Sequence, residues 1–389
     1  MNIRSRLPEV GTTIFTIMSQ LALDHKSINL GQGFPDFHPD PQLIELVAQA
    51  MRDGHNQYPA MPGYLPLRQA ISRKIEKLYG YHYDPQTEIT VTSGATEALM
   101  SSLLALVHPG DEVIVIDPSY DLYRPAIRLA GGIAVSVPMT PPSPEQPVHS
   151  INWDRVRKAI TPKTRLIVLN SPHNPTGMVM QEQDLDALQD IVEGTDILLL
   201  SDEVYEHILF DSRPHASLST RHALAGRSVV ISSFGKTYHT TGWKVGYLSA
   251  PAALTAEVRK VHQFTVFTTT SPLQVALAEY LRQEDKYLSL SSFYQARRDH
   301  LQDGLRATRF RPLPSHGTFF LLADYREISA LPEADFARWL TVEHGVTAIP
   351  VSAFYGQPDA DHANNGLVRL CFAKQDETLN AALEKLRRV

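Results

Sequence analysis

Residues 165–202 contain RLIVLN (165–170), QEQDLDALQDIV (181–192) and ILLLSD (197–202) in succession. The outer two runs are apolar, rich in branched residues, and lack polar alternation, as strands do when both sheet faces are covered. The middle run repeats its apolar residues Leu185, Leu188 and Ile191 at helical spacing. A strand, a helix and a second strand in this order form a crossover unit, which joins parallel neighbours. The same alternation extends outward. Strand-like runs fall at 88–92, 112–117, 133–137, 228–232 and 245–250. Helical periods fall at 95–107, with Leu99, Leu103 and Leu106, and at 252–262, with Leu254, Val258 and Val261. The expected fold is α/β, with one mostly parallel seven-stranded sheet covered by helices.

Beyond residue 285 the texture changes. Helical stretches at 291–305, 333–344 and 375–388 mix with short strand-like runs at 317–324, 347–351 and 367–372, which reads as a smaller α+β unit. The boundary falls in the polar run Gln283-Glu284-Asp285-Lys286. No internal repeat is visible, and the five prolines of residues 138–147 read as an extended surface loop. Across 389 residues, 36 Lys and Arg against 42 Asp and Glu give a net charge of −6. No global positive field is available for a nucleic acid or an anionic membrane. Cys371 is the only cysteine, so neither an intrachain disulfide nor a cysteine-rich metal site is expected, and a reducing cytoplasm fits. Apolar runs such as 103–107 and 197–200 fall far short of the ~20 residues that cross a bilayer. Small-molecule chemistry is the class that remains.

Several segments carry residues suited to such chemistry. Run 88–92 leads through Thr92-Ser93-Gly94-Ala95-Thr96-Glu97 into a helix, whose unpaired first N–H groups suit a phosphate, or an ordinary N-cap. Ser232-Ser233-Phe234-Gly235-Lys236-Thr237 resembles a P-loop only superficially, because Val230 occupies the position of the required first glycine. It leaves Lys236 just past a strand, with Lys244 close behind. The turn Asn170-Ser171-Pro172-His173-Asn174-Pro175-Thr176-Gly177 presents the Asn174 amide, and Ser201-Asp202-Glu203-Val204-Tyr205 delivers a carboxylate and a phenol. Singly, these read equally as a turn asparagine, a capping aspartate and surface lysines. Jointly, at the carboxyl ends of strands in one sheet, they supply what pyridoxal 5′-phosphate (PLP) needs: an amine for its aldehyde, a carboxylate for its ring nitrogen, donors for its ring oxygen and a phosphate cup. No G-x-G-x-x-G follows a strand, which argues against a nicotinamide enzyme.

With these motifs in view, the chain resembles the class I and II aminotransferases of PLP fold type I. It is most similar to the bacterial methionine aminotransferases and the neighbouring kynurenine and glutamine transaminases, a group that includes cysteine-conjugate β-lyases. The resemblance rests on residues 29–37 (NLGQGFPDF), 56–58 (NQY), 92–99 (TSGATEAL), 117–123 (DPSYDLY), 170–177 (NSPHNPTG), 201–205 (SDEVY), 233–246 (SFGKTYHTTGWKVG) and 368–374 (VRLCFAK). It implies a large PLP-binding domain over 40–285, an N-terminal arm and part of the small domain over 1–39, and the rest of the small domain over 286–389. Lys236 looks like the lysine that carries the aldehyde and moves the Cα proton, and Asp202 like the partner of the ring nitrogen. Asn174 and Tyr205 match the donors to the ring oxygen, and Tyr120 the aromatic stacked on the ring. Gly94, Ala95, Thr96, Ser233 and Lys244 match the phosphate site, where lysine stands at the position usually held by arginine in the aspartate branch. Tyr58 matches the residue that reaches the neighbouring subunit's phosphate, which implies a homodimer with shared sites. Arg369 matches the fork for the substrate carboxylate, with the Gly33 backbone beside it and Asn174 near. Phe15, Phe34 and Phe267 sit in segments that border the substrate by similarity. No motif supplies a second arginine for a dicarboxylate.

The resemblance therefore implies ping-pong transfer of an amino group from an apolar, thioether or aromatic L-amino acid, methionine favoured, to a 2-oxo acid. Kynurenine transamination and cysteine-conjugate β-elimination are alternatives on the same chemistry. A PLP-binding regulatory module is disfavoured, because only about thirty residues precede the first motif and a DNA-binding unit needs more. Amino acids and 2-oxo acids are the expected partners, with no nucleic acid, membrane or metal.

Overall fold

The computed structural model describes residues 3–357 and 363–389. Its main sheet has seven strands: β1 (Ile89–Thr92), β2 (Glu112–Asp117), β3 (Ile133–Pro138), β4 (Thr164–Asn170), β5 (Leu198–Asp202), β6 (Ser228–Ser233) and β7 (Gly246–Ser249). Their order across the sheet is β1-β7-β6-β5-β4-β2-β3. Every pairing is parallel except those of β7, which runs antiparallel to both β1 and β6. The exception has a local cause. β6 returns to β7 through a short connection, residues 234–245, that holds only single helical turns in place of a crossover helix, and a direct return places neighbours antiparallel.

The missing polar alternation also has a visible cause. Val113 and Val115 pack into one core with Leu99, Leu103 and Val258, while Ile114 and Ile116 pack into the opposite core with Leu185, Leu188 and Ile191. Each face of the strand meets helices, so both sets of alternate residues are apolar.

A second sheet contains β8 (Arg311–Pro312), β9 (Phe320–Asp324), β10 (Ile349–Pro350) and β11 (Leu367–Cys371), antiparallel throughout in the order β10-β11-β9-β8. The stretch expected as one strand over 347–351 divides. Val346–Thr347 pairs in parallel with Ile28–Asn29 of the N-terminal segment, whereas Ile349–Pro350 pairs with β11. The N-terminal segment thereby lies against the C-terminal part of the chain. A shared core, including Leu30, Tyr205, Phe234, Phe319 and Cys371, runs between the two sheets. The candidate site sits beside it.

Candidate active site

β4, β5 and β6 end at Asn170, Asp202 and Ser233, and the helix Gly94–Leu106 begins directly after β1. Together they enclose a cavity of about 220 Å³. Gly94, Ala95, Thr96, Ser233 and Lys244 line it. So do Tyr120, Asn174, Asp202, Tyr205 and Lys236.

The helix start is built for close approach. Gly94 has φ +69°, and Lys244 has φ +55° and extends Nζ to 3.3 Å from Thr96 Oγ1. A Cβ on Gly246 would lie 2.8 Å from the Ser232 carbonyl oxygen and 2.9 Å from the Ala95 nitrogen, so glycine there lets β7 press against the helix start. Free N–H groups of the first turn, two hydroxyls and an ammonium form a donor set suited to a phosphate dianion.

Lys236 occupies the short helix Phe234–Thr237 that follows β6. Its Nζ donates to the Gly33 carbonyl at 3.3 Å and lies 5.5 Å from the Tyr205 ring centre and 5.6 Å from that of Phe319. Burial brings the amine down to about 8; Arg369 adds to this, while Asp202 opposes it. Asp202 is 4% exposed. Its Oδ2 accepts from the Tyr123 hydroxyl at 2.8 Å and its Oδ1 from the Val204 N–H at 3.4 Å. Burial raises it to about 6 against those two hydrogen bonds and the Lys236 charge. A basic amine, a buried carboxylate and a phosphate cup on one cavity fit PLP by the chemistry of their donors.

Arg369, on β11, is 1% exposed. Nη1 donates to Asn174 Oδ1 at 2.7 Å and Nη2 to the Gly31 carbonyl at 2.8 Å, while Nε has no partner among the described residues. The rings of Phe320, Phe354 and Phe15 surround it at 3.8, 4.9 and 5.2 Å. Burial lowers its pKa to about 10, which leaves it charged at neutral pH. A guanidinium in an aromatic cage with only neutral acceptors is poised for a carboxylate. Asn174 is held by its backbone N–H to Asn170 Oδ1 at 2.8 Å, and Asn170 donates in turn to the Asp202 carbonyl at 2.8 Å. Gly33 lies against Phe320, which leaves no room for a Cβ.

Six expected residues do not line the cavity: Gly33, Arg369 and Phe15, placed above, and Phe34, Tyr58 and Phe267. Phe34 is 44% exposed and carries Lys374 Nζ 4.5 Å from its ring centre. Tyr58, 83% exposed, packs edge-on against Phe267 at 5.5 Å. The structure also adds residues that sequence reasoning passed over: Tyr123, Asn170, Phe320 and Phe354. Tyr123 stands three residues after Tyr120 in a quoted motif, and that spacing was its only signal. Phe354 had none.

A family model for aminotransferase class I and II matches residues 25–386. The chain is 50% identical over 387 residues to the methionine aminotransferase of Escherichia coli K12, covering 99% of this chain and 98% of that one. A solved E. coli structure, reported to identify a methionine aminotransferase function, superposes with a TM-score of 0.95 at 49% identity and covers both chains fully. The probable N-succinyldiaminopimelate aminotransferase of Mycobacterium tuberculosis is 41% identical, covering 98% of this chain and 97% of that one. Mouse kynurenine–oxoglutarate transaminase 1 is 34% identical, covering 98% and 96%. Among the described residues, no helix is long and apolar enough to cross a membrane.

Proposed function

The chain belongs to the class I and II aminotransferases, enzymes that work with PLP, and we propose that it takes the amino group from an apolar, thioether or aromatic L-amino acid, methionine favoured, and passes it to a 2-oxo acid. The observation that carries this reading is the Lys236 amine in one cavity with Asp202 and the start of the helix Gly94–Leu106. When bound, PLP supplies an aldehyde for the amino group and an electron-drawing ring.

The proposed roles follow from position and chemistry. Lys236 would hold the cofactor's aldehyde, and its Nζ would accept the donor's Cα proton; an amine brought toward neutrality is a better proton acceptor at working pH. Asp202 would pair with the ring nitrogen and keep it protonated. Asn174 and Tyr205 donate to the ring oxygen, and Tyr120 stacks on the ring. The backbone at Gly94, Ala95 and Thr96, with Ser233 and Lys244, binds the phosphate. Arg369 grips the donor's α-carboxylate through parallel N–H groups, beside the Gly33 backbone. Phe15, beside Arg369, borders the donor side chain and favours apolar or thioether groups, and Phe34 and Phe267, outside the cavity of this chain, are assigned to the same border only by resemblance.

A homodimer with shared sites is part of the proposal. In support, Tyr58 and Phe267 pack edge-on against each other while exposed, and Phe264, three residues before Phe267, is 85% exposed; exposed aromatics of this kind favour a partner surface. In it, Tyr58 reaches the other copy's phosphate; a sedimentation mass of one chain counts against this. The proposal also keeps residues 40–285 as the cofactor domain, 1–39 and 286–389 as the smaller unit, and the cytoplasm as the compartment.

The experiment is Lys236→Ala together with a donor screen using methionine, kynurenine, phenylalanine, glutamine and aspartate. The variant is expected to lose turnover and the visible absorbance of the bound cofactor; full transaminase activity would sink the assignment. Aspartate as best donor overturns the pocket argument. Release of pyruvate and ammonia from a cysteine conjugate marks the β-lyase alternative, and preference for kynurenine, the donor named for the mouse relative, marks the other.

A further inference from the structure

We propose that the Tyr123 hydroxyl is a positioning group that fixes the Asp202 carboxylate and governs how completely that carboxylate keeps the cofactor's ring nitrogen protonated. The inference deepens the reading above and rests on it. Tyr123 is the first residue of the helix Tyr123–Ala130 and is 2% exposed. Its bond to Asp202 Oδ2, at 2.8 Å, is the short one; the Val204 N–H reaches Oδ1 only at 3.4 Å. The phenol is therefore the main restraint on the carboxylate rotamer. It is also a permanent donor, since burial and the adjacent Asp202 push its ionisation well above the ordinary tyrosine range.

The other charged or titratable groups acting on Asp202 are Lys236, Glu203, Tyr205 and Tyr120. Glu203 is already tied to Ser201, His215 and the Leu218 N–H. Tyr120 meets the Tyr123 ring edge-on at 5.7 Å, so the proposed stacking ring and the carboxylate share one support.

The chemical consequence has a definite sign. A carboxylate that accepts a phenolic hydrogen bond is a weaker base, because the bond favours its ionised form. Removal of the hydroxyl makes Asp202 a stronger base and draws the shared proton from ring nitrogen to carboxylate oxygen. The ring then withdraws electrons less well, and loss of the Cα proton slows.

The test uses the full-length holo-protein loaded with PLP labelled with nitrogen-15 in the ring. In Tyr123→Phe the ring-nitrogen signal is expected to move toward that of neutral pyridine, and the first half-reaction with methionine to slow about tenfold at unchanged donor affinity, the scale of one hydrogen bond to a charged group. Tyr123→His returns an N–H donor and is expected to bring the signal part of the way back. A signal identical in wild type and Tyr123→Phe overturns the proposal, as does a signal equally displaced in both variants. If the wild-type protein transaminates no donor, the functional reading falls, while the nitrogen-15 comparison still reports on Tyr123.

Discussion

Lys74→Met tests how the strand ends beneath the site are held. Lys74 Nζ, on the helix Leu65–Tyr79, meets Glu206 Oε1 at 2.6 Å with both side chains about 4% exposed or less. Glu206 also accepts from Tyr79 at 2.6 Å, from Tyr247 at 3.2 Å, and from Ser232. It stands one residue after Tyr205, and Ser232 one residue before Ser233, so the cluster ties β5 and β6 together under the cavity. Methionine keeps the apolar stem and removes the charge. Breaking a buried pair by removing one partner costs about 3–5 kcal/mol, and three remaining hydroxyl donors put this site near 3. A chain of this length has an unfolding entropy of roughly 0.8 kcal/mol per kelvin, so the expected fall in Tm is about 4 °C. Glu206→Gln is expected to cost a similar amount, and the double variant less than the sum by about 2 kcal/mol, because neither charge is then stranded. Calorimetry on the holo-protein at fixed concentration measures all three. Additive losses, or a Lys74→Met Tm within a degree of wild type, refute the reasoning. The pH dependence adds a second arm. Burial alone would raise Glu206, but Lys74 outweighs it and holds the carboxyl well below its ordinary value of 4.5. A depressed folded value means that this stabilisation is present above pH 4.5 and is lost as the pH falls below it. The Tm gap between wild type and Lys74→Met is therefore expected to narrow as the pH falls below 4.5, where protonation also relieves the stranded Glu206 of the variant.

Arg369→Lys is expected to raise KM for every amino donor about a hundredfold with a smaller change in kcat, since an ammonium cannot reproduce the guanidinium fork; an unchanged KM for methionine in steady-state assays contradicts the carboxylate role. Protein stripped of cofactor is expected to capture PLP faster as the pH rises toward about 8 and to level off beyond it, because only the neutral Lys236 amine attacks an aldehyde and burial has lowered its pKa to that range. Stopped-flow absorbance reads the profile, and a rate still climbing tenfold per unit at pH 10 counts against the buried amine.

The parallel sheet was legible because burial on both faces leaves its mark on the inner strands: Val113 through Ile116 are apolar without interruption. The direction of β7 was not, since apolar content carries no sense of direction and the short return through residues 234–245 decides it. Asp202, Lys236 and Gly94 stood out because each follows directly on an apolar run. Of the surroundings of Arg369 only Phe15 was expected near the substrate; Phe320 and Phe354 reach it from distant segments and each alone reads as ordinary core. Tyr123 was hidden for the opposite reason: a buried tyrosine at a helix start looks like packing until its hydroxyl is traced to Asp202. The exposure of Phe267 was equally unreadable from its own residues, as an aromatic side chain gives no sign of whether it packs inward or faces solvent.

The carbonyls of Gly31 and Gly33 accept from Arg369 and Lys236 across 338 and 203 residues of chain. During synthesis both acceptors leave the ribosome before the lysine, and the guanidinium follows all three. A nascent chain halted between residues 236 and 369 thus possesses the amine but lacks the guanidinium proposed to orient a carboxylate.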